Sequence, residues 1–270
     1  MESRRVGLNI GITCLLAVYA VPLILVLLAS FKSNAEIVNN PASIFFTPSL
    51  EAYGYVFDSQ FLSALGNSLL IAGGTALLTL AVATPLSYVL ARANSAWSAL
   101  VIGALIALQM LPTATAIIPQ FRVLAGLGLL GNTFGVILAM SATVLPYSIL
   151  ILRPFFLSVP FELEEAAQVD GAGRLRTFAR VVFPLVRNGA SVVAVLVFIS
   201  SWGEFLYPIS FLNDQAQFPL SVLILQQQGF YGTQWNNLMA LALLGAIPTV
   251  IIFAFVARKL TSGLALGIGK

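Results

Sequence analysis

Six apolar segments, each about 20 or more residues long, constrain this chain more than any other feature of its sequence. A helix that crosses a bilayer needs about 20 mostly apolar residues, and each segment meets that length. Because lipid offers no partner for backbone N–H and C=O groups, such segments fold as α-helices. The sequence therefore predicts an all-α, polytopic membrane protein with transmembrane helices over 8–30, 64–91, 97–119, 132–152, 190–212 and 238–257.

The details of these segments refine the prediction. Only 9% of the 270 residues are charged, against about 25% in soluble proteins. The first segment is longer than the roughly 7–15 apolar residues of a signal peptide, and no A-x-A cleavage site follows it, so we interpret it as a membrane helix. Pro85, Pro112 and Pro248 lie inside the second, third and sixth segments and predict kinks there.

The basic residues predict the orientation of the helices. If the six helices alternate in direction, eleven of the thirteen Lys and Arg residues fall on the side of the N-terminus, and only Lys32 and Arg122 fall on the other. Positively charged residues are retained on the cytoplasmic side of membrane proteins. Both termini are therefore predicted to be cytoplasmic.

Several function classes are disfavoured by what the sequence contains. One cysteine, Cys14, and no histidine leave the usual zinc, haem and iron–sulfur ligand sets incomplete. Gly126, Gly128 and Gly131 match G-x-G-x-x-G, but they connect two predicted membrane helices instead of a strand and a helix, so we interpret them as an external turn. The segment GLALGIGK lacks the spacing of a phosphate-binding loop. The basic residues lie at the ends of apolar segments, and we expect no nucleic-acid partner.

Two long connections are predicted on the outer side. Residues 31–63 have the Pro, Asn and aromatic content of a structured cap on the membrane surface. Within residues 213–237, the apolar stretch from Leu220 to Leu225 is too short to cross a bilayer. We expect it to form a short interfacial or re-entrant helix.

Glu204 is the acid that this prediction places inside a membrane helix, in the outer half of the fifth segment. Ionisable residues in that environment are costly and are candidates for function. Two interpretations stand: an interfacial or structurally paired acid, or a residue that lines a polar translocation pathway. Other polar residues of the membrane segments are interpreted mainly as helix-to-helix contacts; they are Asn67, Gln109, Thr113, Thr115, Ser141, Ser200 and Ser201.

The densest run of charge follows the fourth membrane segment, on the predicted cytoplasmic side. Ser158, Pro160 and Glu162 are typical of a helix start, and that helix is expected to run to about Asp170. Gly171 then breaks it, together with Gly173.

A second helix is predicted from Arg174. Its apolar stripe is Leu175, Phe178, Ala179 and Val182, and Pro184 is expected to end it. The whole run is interpreted as either a docking element or an ordinary positively charged loop on the lipid headgroups.

A sequence resemblance favours the docking element. EAAQVDG, residues 165–171, followed after nine residues by VVFP, residues 181–184, is similar to the E-A-A-x3-G-x9-I-x-L-P motif of the inner-membrane permeases of binding-protein-dependent ABC importers. Further stretches, among them SFKSNAEI, MLPTATAIIPQF and SWGEFLYP, resemble the second permease subunit of carbohydrate importers of the maltose-transporter type. The resemblance extends over nearly the whole chain in the same order.

The resemblance implies a fold and a division of the chain. The fold is the type I ABC importer (MetI-like) permease fold, and the localisation is the bacterial inner membrane. Residues 1–63 would form the N-terminal membrane helix and a periplasmic loop, and 64–258 the importer's transmembrane domain, with the coupling loop at 153–189. Residues 259–270 would form a cytoplasmic tail.

The resemblance also implies partners and site residues. A sugar or sugar derivative would arrive on a periplasmic or lipid-anchored binding protein. A second, different permease would complete the pathway and hold most of the sugar site, and an ABC ATPase dimer would bind ATP and magnesium. This chain itself would bind no cofactor and would not be an enzyme. The residues implied to couple to the ATPase are Glu165, Ala166, Ala167, Asp170, Gly171 and Pro184, with Glu204 as a pathway residue.

Three alternatives remain at this stage. A self-sufficient secondary transporter would need several intramembrane acids or bases, and only Glu204 is predicted there. A membrane enzyme would need a catalytic constellation, which the pattern does not provide. A permease for amino acids or peptides is the runner-up within the importer class.

Overall fold

A computed structural model describes residues 2–58, 60–229 and 232–265 of the chain, which are almost entirely helical. The first helices along the chain are α1 (Glu2–Ser30), α2 (Asn34–Asn39), α3 (Glu51–Asp58), α4 (Phe61–Arg92), α5 (Ala96–Gln109), α6 (Thr113–Gly126) and α7 (Thr133–Leu157). They are followed by α8 (Glu162–Val169), α9 (Arg174–Thr177), α10 (Phe183–Trp202), α11 (Leu206–Phe211), α12 (Leu220–Gln226), the hairpin β1 (Gln228–Gly229) and β2 (Gly232–Thr233), and α13 (Trp235–Ala265).

Five helical segments in the described part of the chain are long and apolar enough to cross a membrane, and the pair α5–α6 makes a sixth if it counts as one broken crossing. The inner end of α4 is adjacent to the start of α5, where Ser98 donates to Ala93 O at 2.8 Å. Residues 216–218 lie at the outer end of α4, where Asn67 donates to Ala216 O at 2.8 Å. Thr133, at the start of α7, donates to Gln217 in that same segment at 3.3 Å. The chain between α4 and α7 therefore passes from one end of the bundle to the other, which gives six crossings, as predicted.

The third predicted helix, 97–119, is broken instead of kinked. Helix α5 ends at Gln109, α6 begins at Thr113, and their axes differ by 106°. Pro112 precedes α6, lacks a backbone N–H and disfavours helical backbone at the residue before it, which favours a break at this point. Pro85 and Pro248, by contrast, lie inside continuous helices.

The prediction for the fifth membrane helix, 190–212, was wrong at both ends. The continuous helical segment runs from Arg174 to Trp202. Pro184 does not end the preceding helix, because a π-helical turn over Phe178–Val182 comes directly before it. That wider turn, in which Phe183 N donates to Phe178 O, makes room for a ring that would clash with the carbonyl four residues earlier in an α-helix.

The core lies between α4, α7 and α10. Small residues on α4, such as Ala72, Ala76 and Ala83, are buried against larger side chains from the other two helices, including Phe156 and Val197. Small residues let helix backbones approach closely in a membrane, where packing rather than the hydrophobic effect holds helices together.

The outer connections fold largely as predicted. Residues 31–63 contain α2 and α3, and Lys32 is buried beneath them, donating to Ser43 O at 2.6 Å and lying 5.2 Å from the centre of the Phe46 ring. The apolar stretch after residue 213 forms the short helix α12, which packs between α4 and α13. Helix α13 continues to Ala265, so residues 266–270 of the predicted tail lie outside the described residues.

Two helix glycines provide a test of this packing. A Cβ on Gly135 would collide with the carbonyl oxygen of Leu129, whereas a Cβ on Gly66 would meet open space among the described residues. Overpacking against backbone costs about 1–3 kcal/mol, while Gly→Ala in an unobstructed helix costs nothing and adds helix propensity. We expect Gly135→Ala to lower the melting temperature of the purified protein in detergent and Gly66→Ala to leave it unchanged or raised. Equal melting temperatures for the two variants would contradict the observed approach of residue 129 to α7.

Candidate functional site

The charged run at the inner end forms the short helix α8, as predicted, and a glycine turn follows it, but the second predicted short helix is the start of the long helical segment from Arg174 to Trp202. Helix α8 ends at Val169, and Gly171 adopts a left-handed conformation with φ +82°. Ala172 N donates to Ala167 O at 2.9 Å, and Gly171 N donates to Gln168 O at 3.0 Å. These two bonds form the Schellman motif that ends many helices, and it favours glycine at the left-handed position.

The predicted start of α8 was wrong in its capping residue. Ser158 is the C-cap residue that directly follows the preceding helix, α7, and its hydroxyl donates to Phe155 O at 2.8 Å. Helix α8 begins at Glu162, after Phe161, and no side chain among the described residues caps it. The first turn carries three acids, whose charges favour the positive end of the helix dipole.

Glu164 anchors α8 to the membrane bundle. Its side chain is only 2% exposed and accepts hydrogen bonds from Arg92 Nε and from the Tyr88 hydroxyl, both at 2.6 Å. Arg92 also donates from Nη2 to Val159 O at 2.9 Å. We refer to Tyr88, Arg92 and Glu164 as the clamp. It ties the inner end of α4 to α8 through charge-assisted bonds, which are the stronger class of hydrogen bond.

Sequence reasoning did not find the clamp. Among Glu164, Glu165 and Asp170 it favoured Glu165 for the contact with a partner, and it did not foresee that Glu164 is bonded inside the chain. The available signal was angular: adjacent residues on a helix differ by about 100° in direction, so Glu164 and Glu165 point to different sides. Arg92 is the basic residue at the end of the second apolar segment, and from there its side chain reaches Glu164 on the buried side of α8.

Apart from Pro184, the remaining predicted coupling residues lie on the solvent-exposed surface of α8 and the turn that follows it. Glu165, Ala166, Asp170 and Gly171 are exposed, and Ala167 is half-buried. Apolar side chains beside them also face outward, because Val169 and Leu175 are 87% and 80% exposed. Pro184 is separate from this surface: it lies ten residues into the helical segment that begins at Arg174, about 15 Å along its axis.

A second candidate region is a cavity of about 400 Å³ in the outer half of the bundle. It lies between the break in α5–α6, the middle of α7 and the end of α10. Glu204 lines it from the break between α10 and α11, and not from inside a helix as predicted. One carboxylate oxygen, Oε1, accepts a hydrogen bond from Leu206 N at 2.7 Å.

The polar side chains of the cavity are partly paired with one another. Gln120 Nε2 donates to the Thr143 hydroxyl at 3.1 Å, and that hydroxyl lies 2.7 Å from the Tyr207 hydroxyl. One turn further along α7, the hydroxyls of Tyr147 and Ser200 are 3.3 Å apart. The arrangement forms a cluster of neutral hydrogen-bonding groups with one carboxylate beside it.

Two buried polar atoms at the cavity are unpaired. Gln120 Oε1 and the Ser201 hydroxyl have no hydrogen-bond partner among the described residues, and Ser201 is 4% exposed. Most buried polar side-chain atoms in proteins are paired, and these two are exceptions that present almost no surface to the cavity.

The other polar residues of the membrane segments divide into three sets. Asn67 and Ser141 form contacts between elements, to Ala216 O and Thr75 O, as the helix-contact interpretation predicted. Thr115 bonds locally to the carbonyl of Pro112. The remaining four line the cavity: Gln109, Thr113, Ser200 and Ser201.

Metal chemistry receives no support from the described residues. Within 2–58, 60–229 and 232–265, no group of three His, Cys, Asp or Glu side chains is placed to hold a metal ion. Cys14 is exposed on α1.

Comparison with known proteins assigns the family. Residues 83–264 match the binding-protein-dependent transport system inner membrane component family. The chain belongs to this family. It is 33% identical to the sulfoquinovosyl glycerol transport system permease protein SmoH of Agrobacterium fabrum, over 91% of this chain and 87% of that one. It is 29% identical to the melibiose/raffinose/stachyose import permease protein MelC of Bacillus subtilis, over the full length of both chains.

Solved structures share the fold. A chain of a bacterial ABC transporter that imports the acidic polysaccharide alginate matches with a TM-score of 0.77 and 22% identity, over 96% of this chain and 98% of that one. A chain of the MetNI methionine ABC transporter matches with a TM-score of 0.60 and 16% identity, over 78% of this chain and 98% of that one. Together with the family, these matches confirm three predictions: the all-α permease fold, the multi-pass location in the inner membrane and the resemblance to carbohydrate importers.

The clamp can be tested by a double-mutant cycle. Arg92→Met leaves a buried carboxylate without its cation, and Glu164→Leu leaves the cation without its carboxylate. Removing one partner of a buried ion pair costs about 3–5 kcal/mol, whereas replacing both with apolar side chains is often nearly neutral. We expect each single variant to lower the melting temperature of the purified permease strongly, and the double variant to recover most of the loss.

Additive losses in the double variant would show that the two side chains do not interact. Tyr88→Phe is the conservative member of the series. It removes one hydrogen bond to a charged group, worth about 1.5–3 kcal/mol. Its melting temperature should therefore fall between that of the double variant and those of the single variants.

Proposed function

We propose that this chain is the permease subunit of an importer that receives a sugar or sugar derivative from an extracytoplasmic binding protein and is driven by a separate ATPase. The observation that carries the proposal is the exposed helix–glycine–helix segment at the inner end, held rigidly by the clamp. Support for delivery by a binding protein comes from a neighbour of the same fold, the alginate transporter, which was solved in complex with an alginate pentasaccharide-bound periplasmic protein.

The solvent-exposed surface of α8 and of the turn that follows it is proposed to dock on the ATPase. Glu165 is exposed at the centre of the segment and would make the polar or ionic contact. Ala166 and Ala167 are small enough to let the partner's backbone approach closely. Asp170 supplies a second charge beside them, and Gly171 holds the angle between α8 and α9 through its left-handed backbone. Glu164 takes no part in docking, because both of its oxygens are bonded inside the chain.

Two connections would carry movement from the docking surface into the membrane. The clamp joins α8 to the end of α4. On the other side of the glycine, α9 continues without interruption into α10, which ends at Trp202 beside the cavity. A displacement of the docking segment by the closing ATPase would therefore move α4 and α10 together. Pro184 lies within this second connection and contributes through helix geometry, not through contact with the ATPase.

The remaining parts of the importer lie in other chains. ATP and magnesium would be bound by the ATPase dimer. A second, different permease would cover part of the apolar surface of this chain, and lipid the rest; α1, for example, has no buried residue from Gly11 to Ala29. Glu204 and the cavity around it are proposed to lie on the translocation pathway.

The docking surface is tested by a charge reversal in the assembled importer. Reversing the central charge with Glu165→Lys should uncouple the two subunits, because a like-charged contact replaces a favourable one. We expect sugar import into proteoliposomes to fall at least tenfold and ATPase activity to stop responding to the loaded binding protein. The control is Glu162→Lys, since Glu162 is also exposed on α8 but lies one turn before the predicted motif.

The glycine supplies a second, independent test. Gly171→Pro cannot adopt φ +82°, because proline fixes φ near −65°. It should abolish coupling while the permease still inserts in the membrane. Gly173→Ala is the matched control, because Gly173 has an ordinary φ of −67° and open space around it among the described residues. Unchanged transport in both Glu165→Lys and Gly171→Pro would overturn the docking assignment.

A further inference from the structure

The connection between α2 and α3 exposes two adjacent apolar side chains. They lie in residues 40–46, which we call the outer turn. Phe45 is 94% exposed and Ile44 is 69% exposed, so the described residues cover little of either one. Apolar side chains of this size gain stability when they leave water. The surroundings of the outer turn therefore have to show what covers them.

The outer turn is held rigidly by Lys32. The side chain of Lys32 is 3% exposed, and its amine lies 5.2 Å from the centre of the Phe46 ring. The amine also lies 2.6–3.4 Å from three carbonyl oxygens, those of Asn40, Pro41 and Ser43. No carboxylate among the described residues pairs with it, so the carbonyl dipoles and the ring offset the cost of burying its charge. Because these contacts fix the turn, Phe46 faces inward and Phe45 faces outward.

The outer turn lies beside the outer end of the first membrane helix. Lys32 N donates to Ala29 O at 3.1 Å, and Ser49 N donates to Phe31 O at 2.7 Å. The membrane segment of α1, Gly11–Ser30, ends at this point, and none of residues 11–29 is buried. The exposed apolar surface of α1 thus continues directly into the outer turn. Aromatic side chains are enriched at this depth, where acyl chains give way to headgroups.

The charge pattern of the connection also fits lipid. Residues 37–50 contain no Asp, Glu, Lys or Arg. The flanking charges, Glu36 and Glu51, lie in the first turns of α2 and α3. Contact with acyl chains is costly for a charged side chain, so a segment that enters the membrane has to be free of exposed charge. The outer turn meets this requirement along its whole length.

We propose that Ile44 and Phe45 insert into the outer leaflet of the membrane, and that Lys32 is the positioning residue that holds the turn in the inserting conformation. The sequence predicts a cap that lies on the membrane surface, and in this proposal two side chains of that cap enter the lipid. Asn34, on α2, accepts a hydrogen bond from Trp235 N at 2.8 Å. An anchored turn therefore also fixes the cap against the start of α13. The proposal depends neither on the sugar nor on the ATPase.

The insertion is tested with a fluorescent label in the importer reconstituted in liposomes. Bimane is attached at Phe45→Cys in a Cys14→Ser background, with the other subunits free of cysteine. A lipid with a nitroxide near the top of its acyl chain should quench this label at least threefold more strongly than a label at Glu51→Cys, and iodide at least threefold less. Glu51 is the matched control, because it is exposed and its charge favours water. Ile44→Cys should behave like Phe45→Cys while it leaves the phenylalanine in place.

Three results would overturn the insertion. Equal iodide quenching at residues 44, 45 and 51 would place the outer turn in water. Protection from both quenchers would show that another subunit covers it. Protection from iodide that begins only when the loaded binding protein is added, without quenching by the lipid nitroxide, would make the turn a docking site for that protein.

The role of Lys32 is tested by Lys32→Met, which keeps a side chain of similar length and removes the charge that the three carbonyls bind. We expect lipid quenching at Phe45→Cys to fall at least twofold and iodide quenching to rise, with the label at Glu51→Cys unchanged. Lys32→Arg retains a cation and should keep more of the lipid quenching than Lys32→Met. If Lys32→Met leaves both kinds of quenching at Phe45→Cys unchanged, the assignment of Lys32 as the positioning residue is wrong.

Discussion

The ion pair between buried Glu164 and Arg92, whose side chain is 17% exposed, is the interaction on which the proposed coupling depends. Taking two charges out of water is costly, and the pair is tolerable only because each charge is bonded on more than one side. Glu164 accepts from Arg92 and Tyr88, and Arg92 also donates to Val159 O. A short, highly charged helix such as α8 has little apolar surface with which to pack, so without this clamp it would be held only by its connecting backbone and by its contacts with residues 174–182.

The clamp divides the charges of α8 between two tasks. The buried acid holds the helix in place, and the exposed ones remain available to a partner. The same division recurs at the outer end, where Glu204 gives one oxygen to the backbone of α11 and keeps the other toward the cavity. Helix α10 and the preceding α9 link the two regions as one uninterrupted helical segment, from Arg174 to Trp202. The two functional regions of the chain thus lie at opposite ends of a single rigid element.

Sequence patterns predicted most of the fold and part of the candidate sites. Six crossings follow from segment length and hydropathy. The turn at Gly171 between α8 and α9 follows from the presence of glycine, which tolerates left-handed backbone. Predictions failed where non-local contacts decide the outcome. The pairing of Glu164 with Arg92 joins residues 72 apart in sequence, the break at Pro112 depends on what packs around it, and Pro184 continues a helix because a π-turn precedes it. The cavity was not predicted either, since its lining comes from five separate helical elements.

The most direct test of the central claim measures whether the clamp carries movement to the cavity. Spin labels at the exposed positions Met110→Cys, next to the lining residue Gln109, and Leu196→Cys, one turn before the lining residue Ser200, would report movement at the cavity in the reconstituted importer in a Cys14→Ser background. The account predicts that ATP shifts the distance distribution when the clamp is intact, and that the shift is smaller in the Arg92→Met, Glu164→Leu double variant, in which only the connection through α9 and α10 remains. An equal ATP-dependent shift in both would contradict it.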